Sequence, residues 1–188
     1  IYEWVALADA KNSLTDGANY FLAFQPLGAF VDMLKEFSIF KKWQQSNMKL
    51  LLVPANSLHR SFLENKISTY KYRADTVIVP AGLTVHNWYQ LLSSAYASIV
   101  LENNAAAHLM TLEATKAEVS IIASTAFSNS RGMQDMVTHY TETTPSGIAE
   151  ALLLVYKNEK LKAERTQNGL QYLQNTILPQ LPLLFKEA

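Results

Sequence analysis

No cysteine occurs among the 188 residues, which excludes disulfides, thiolate metal sites and a cysteine nucleophile. Glycine is scarce, at six, and none falls in either of the common phosphate-cradling patterns. Charge is thin as well. Asp, Glu, Lys and Arg make up 17% of the chain, where about a quarter is usual, which points to a surface covered by another domain or a partner. Sixteen basic residues balance sixteen acidic ones, so there is no broad electrostatic case for nucleic acid or an anionic membrane. No apolar run reaches the length of a membrane span, and the opening Ile1-Tyr2-Glu3-Trp4 has no signal-peptide character. The expectation is a cytoplasmic protein, at most peripheral at the inner membrane face. A chain that opens on Ile1 reads as a fragment or a processed product.

What is present is apolar and ordered. Hydrophobic residues account for 49% of the chain, ample for a core without staples. Residues 20–24, 49–53, 76–79, 97–101 and 119–123 are short apolar runs of strand length. Between them, Phe30, Leu34, Phe37 and Phe40 fall at helical spacing within 30–45, while 87–95 and 109–117 are shorter helical stretches. Thr144-Pro145 has the chemistry of a helix start, and Ile148, Leu152 and Val155 then form one buried face. Strand and helix alternating in this way predict an α/β fold: a doubly wound, Rossmann-like parallel sheet with helices on both faces. Residues 1–19 read as a linker with a turn at Thr15-Asp16-Gly17, 20–158 as the domain, and 159–188 as trailing helices broken near Pro179 and Pro182.

In such a sheet ligands sit outside the carboxyl ends of the strands. Those ends read Gln25-Pro26-Leu27-Gly28-Ala29, Pro54-Ala55-Asn56, Pro80-Ala81-Gly82, Asn103-Asn104-Ala105-Ala106-Ala107 and Ser124-Thr125-Ala126. None contains Lys or Arg, and three carry a proline, which lacks the N–H that a phosphate would use. His59, His86, His108 and His139 are scattered and show no metal-ligand spacing, so they read as ordinary surface or core histidines and no metal or cofactor is expected. Ser57-Leu58-His59 is no nucleophile elbow. Tyr70-Lys71-Tyr72-Arg73 reads as a solvated helix end. Glu102 and Glu113 read as a strand-end carboxylate and a helix-surface one, not as an acid/base pair.

The phrases TDGANYFL, LKEFSIFKKWQQSNMKLLL, STYKYRADTV, AYASIV, TLEAT and IAEALLLVYKNEKLKAE carry a likeness. Over residues 15–176 the chain resembles the C-terminal, nucleotide-sugar-binding half of group 1 (family 4) retaining glycosyltransferases, which have the GT-B fold, in particular their Bacteroidetes-type members. The resemblance implies a second, N-terminal half facing this one across a cleft, with the trailing helix crossing between them. It also implies transfer of a sugar from a nucleotide-sugar in bacterial polysaccharide biosynthesis.

The functional motifs depart from that pattern. The family carries a glutamate that works near the donor sugar, a Gly-aromatic-Gly turn, and, eight positions on, a second glutamate that holds the ribose. Glu113-Ala114 matches the second; counting back puts Ala105 at the first and Ala106-Ala107-His108 at the turn. The Arg and Lys that meet the diphosphate after the first strand are missing from a shortened loop. Pro54-Ala55 replaces a typical Gly-Arg, Ala81 replaces a glycine, and Ser130-Arg131 stands where Pro-Glu is common, although Asp135 fits a downstream Asp. Two missing charged contacts cost roughly 3–6 kcal/mol of donor affinity.

The expectation is therefore a degenerate domain, inactive on its own, with no catalytic residue. Glu113, Ser124, Thr125 and Asn104 remain as weak nucleotide-sugar contacts. Its partner would be the N-terminal half, a second copy or another protein. Two alternatives stay open. One is a rebuilt, active donor site recruiting Glu102 or His108. The other is a module binding an uncharged sugar through Asn56, Asn103, Asn104 and Ser124.

Overall fold

A computed structural model describes residues 10–24, 27–54, 56–129, 134–142 and 146–179. In chain order it contains α1 (Ala10–Thr15), β1 (Tyr20–Phe24), α2 (Leu27–Trp43), β2 (Lys49–Val53), α3 (Ser57–Ser68) and β3 (Thr76–Ile78). There follow α4 (Val85–Ser93), β4 (Ala97–Val100), α5 (Ala105–Lys116), β5 (Ser120–Ser124) and β6 (His139–Thr141). The helices α6 (Gly147–Lys157) and α7 (Glu159–Tyr172) come last, and α7 runs into a π-helical turn, Leu173–Ile177.

The described strands form one parallel sheet in the order β3-β2-β1-β4-β5-β6. This is the doubly wound Rossmann order, in which the winding reverses between β1 and β4. The central strands β4 and β5 are buried along their whole length, which is why they carry only apolar residues and small serines and do not alternate with charged ones. Phe21, Leu50, Leu52 and Ile99 face one side and pack with Phe30, Phe37 and Phe40 of α2, Leu63 of α3 and Leu152 of α6. Leu22, Leu51, Ile121 and Ala123 face the other, against Leu91 and Leu92 of α4 and Ala107 and Ala114 of α5. Leu50 and Leu51 thus point to opposite faces, as the period of two requires.

Several local expectations need correction. The stretch read as a linker holds the helix α1, and the turn behind it takes left-handed backbone at Asp16 (φ 52°) and Gly17 (φ 76°). Helix α3 was not expected, because its polar sequence buries only Leu63. Strand β6 was also missed; it has three residues and pairs with β5 at the sheet edge. The α5 helix begins at Ala105, four residues before the expected start, because Asn104 caps it and alanine is the best helix former. Thr144 and Pro145 lie outside the described residues. The helix they were expected to start, α6, opens at Gly147, and its N-terminal N–H groups are met by a distant side chain. The buried carboxylate of Glu36, on α2, accepts from the backbone N–H of Ser146 at 3.1 Å and of Ala149 at 3.0 Å. The second trailing helix, beyond residue 179, is also outside the described residues.

Candidate functional site

The winding reversal opens a crevice of about 480 Å³ at the carboxyl ends of β1, β2 and β4. Phe24 from β1, Val53 from β2 and the following Pro54 form one side. Trp88 of α4 meets Phe24 edge to face, their ring centroids 5.2 Å apart. Ala106, Ala107, Leu109 and Met110 of α5 form the opposite wall, with His59 of α3 and the loop residues Glu102 and Asn104 completing the lining. Among these described residues there is no lysine or arginine. Glu102 is the only carboxylate in that lining. At an effective dielectric of about 20, it would repel an anion held about 6 Å away by about 3 kcal/mol.

The three alanines each do something different. Ala105 is the first helical residue and is exposed; Ala106 lines the crevice; Ala107 is 7% exposed and belongs to the core. A larger residue at 106 would fill the space that the crevice occupies.

The polar residues proposed as ligand contacts are committed to the protein itself. Asn104 accepts the Ala107 N–H through Oδ1 at 2.9 Å and donates through Nδ2 to Glu102 at 2.7 Å. The buried Ser124 hydroxyl donates to the Leu101 carbonyl at 2.8 Å, tying β5 to the end of β4. Thr125 donates to the Glu142 carboxylate at 3.2 Å. Asn56 caps α3, accepting from the His59 N–H at 2.9 Å. Asn103 donates to the Ala126 carbonyl at 3.1 Å, and its Oδ1 lies 2.8 Å from His108 Nε2. His108 in turn stands edge-on to Phe127 at 5.2 Å.

Glu113 lies off the crevice. It accepts the Tyr89 hydroxyl at 2.5 Å, and that hydrogen bond, followed by desolvation, raises the tyrosine pKa. Glu113 lines instead a groove of about 630 Å³ between α5 and the end of α7, whose apolar walls include Leu112, Leu170, Leu173 and Ile177. Leu109 borders both concavities. Glu102 and Glu113 are therefore not brought together in one site. Among the described residues no group of three or more metal-ligating side chains converges. Gln25, Pro26, Ala55 and Arg131 lie outside the described residues.

Reading the strand ends alone overlooked Trp88 and His59, because both arrive from helices. Trp88 did leave a signal: with Leu91 and Leu92 it forms an i, i+3, i+4 apolar set on α4.

No family model and no curated protein matches the chain. Solved structures do. One is the C-terminal domain of a glycosyl transferase group 1 family protein (LpcC) from Francisella tularensis, at TM-score 0.63 and 14% identity over 91% of this chain and 94% of that one. A second is WaaG, a glycosyltransferase involved in lipopolysaccharide biosynthesis, at TM-score 0.70 and 15% identity over 94% of this chain and 50% of WaaG. The sucrose-phosphate synthase of Thermosynechococcus elongatus matches at TM-score 0.66 and 18% identity over 98% and 49%. The chain has the Rossmann-like fold of a GT-B C-terminal half. It spans about half the length of WaaG and of the synthase. No helix among the described residues is long and apolar enough to cross a membrane.

Proposed function

We propose that this chain is the donor-side half-domain of a family 4-type glycosyltransferase whose donor site has decayed, leaving a structural or partner-binding module of bacterial polysaccharide assembly. The observation that carries this reading is the lining of the crevice at the winding reversal. Where a nucleotide-sugar needs cations and free donors, the described wall offers mostly aromatic and aliphatic carbon, one carboxylate, one histidine and one asparagine. Asn104, Ser124 and Thr125 spend their donors within the protein, and Ala105 cannot act as the family's first glutamate does. The domain keeps its sheet because folding depends on the two apolar faces, and the crevice residues that join them, Phe24, Val53, Trp88 and Ala107, are themselves apolar.

Thermal unfolding with UDP-glucose, GDP-mannose and ADP-glucose, each at about a hundred times a working dissociation constant, tests it. A true donor would stabilise the fold by about 2.7 kcal/mol under those conditions. The expected outcome is no shift with any of the three. An upward shift of several degrees with one of them would refute the decayed site and restore a working transferase half.

A further inference from the structure

We propose that the crevice at the winding reversal binds a small, uncharged, mainly apolar aromatic molecule that carries one hydrogen-bonding group. This rests on the reading that nucleotide-sugar binding has been lost, and gives the vacated space a different occupant. A volume of about 480 Å³ is the size of a small-molecule site. The Phe24–Trp88 pair and the carbon of Val53, Pro54 and Met110 offer an aromatic ring apolar contact on both sides.

A sugar fits poorly here. Its hydroxyls need several donors and acceptors, and of the polar residues weighed for that role only Asn104 lines the crevice, its Oδ1 and one amide hydrogen already bonded within the protein. One polar atom stands apart. His59 lines the crevice, and its Nδ1 is buried with no hydrogen-bond partner. A buried polar atom left unpaired costs free energy, which a ligand group would recover once the imidazole turns that nitrogen toward the crevice. The carboxylate of Glu102 on the same lining sets the ligand's charge, because it disfavours an anion.

The probe is N-phenylnaphthylamine, a neutral three-ring aromatic amine with a single N–H, compared with its sulfonated analogue, anilinonaphthalene sulfonate. Titrated into the full chain, the neutral probe is expected to brighten saturably at one site per chain and to quench tryptophan emission. The sulfonate should bind about tenfold more weakly or worse. Ala106→Trp, at an exposed helix position that tolerates the change, should fill the crevice and weaken the neutral probe by about tenfold or more. His59→Leu keeps the apolar wall but removes the hydrogen bond, and should cost about fivefold. Circular dichroism checks that both variants remain folded.

Absence of saturable binding overturns the proposal, as does binding that Ala106→Trp and His59→Leu both leave unchanged. A preference for the sulfonate also overturns it. Displacement of the probe by UDP-glucose, with UDP-glucose itself binding, would instead overturn the decayed-donor-site reading on which the proposal rests.

Discussion

At the scale of single residues, Ala105 is where the proposed loss of donor chemistry can be probed. It is exposed at the first position of α5, where a carboxylate stays hydrated and complements the positive end of the helix. Ala105→Glu is therefore expected to change stability by no more than about half a kcal/mol, leaving the melting temperature within a few degrees of the parent. A collapse in thermal unfolding would mean that the crevice has closed over this residue. Activity should not return, because the diphosphate contacts would still be missing.

His139 on β6 gives a second residue-level test. Desolvation, and then the nearby Arg165 charge, hold its pKa below the ordinary value of 6.5. Below pH 6.5 the unfolded chain binds a proton that the folded chain resists, so stability falls as the pH drops from 6.5 to the folded pKa and then levels. Denaturant melts of the parent against His139→Gln should show that slope in the parent and a flatter profile in the variant. Identical profiles would remove His139 from the account. The sequence disclosed the identity of His139 but not its half-burial, which depends on tertiary packing of β6, with α6 against it.

At the scale of elements, what was legible depended on how much apolar surface each element buries. β1, β4 and β5 are buried on both faces, and their runs of apolar residues, interrupted only by small serines, identified them. α3 and β6 bury little and are polar, so pattern alone passed them over. The packing of α7 was also invisible beforehand. Gly169 lies against a 3₁₀ turn, Gln134–Met136, and an added Cβ there would stand 3.1 Å from Met136 Cα and 3.2 Å from its carbonyl oxygen.

Alanine in place of glycine inside a helix normally gains about 1 kcal/mol. At 169 backbone meets backbone and cannot yield easily. Gly169→Ala is therefore expected to destabilise the fold by about 1–2 kcal/mol, read as a lower denaturation midpoint. A stabilised variant would show that α7 sits less tightly than described. Ser120 and Thr166, hydroxyl to hydroxyl at 3.0 Å, and Arg165 donating to the Thr138 carbonyl at 2.8 Å, fix the same contact.

At the scale of the whole molecule, the carboxyl-end face is unusually apolar. Among the described residues, the three most exposed large hydrophobic side chains, Leu58, Val85 and Leu109, stand in the first or second turns of α3, α4 and α5. Together they edge the end of the sheet where the crevice opens, a region in which helix starts usually carry polar residues. The candidate site was partly legible in the sequence: the absence of cations and the run of alanines both marked it. What could not be read was the internal pairing of Asn103, Ser124 and Thr125, since their partners Ala126, Leu101 and Glu142 lie well away in the chain.

The central claim, that this crevice no longer holds a nucleotide-sugar, is tested most directly by titration calorimetry of the chain with UDP-glucose, run in parallel on Glu113→Gln. The account predicts no saturable heat at sub-millimolar concentration for either protein. Saturable binding to the parent at tens of micromolar, lost in Glu113→Gln, would contradict it.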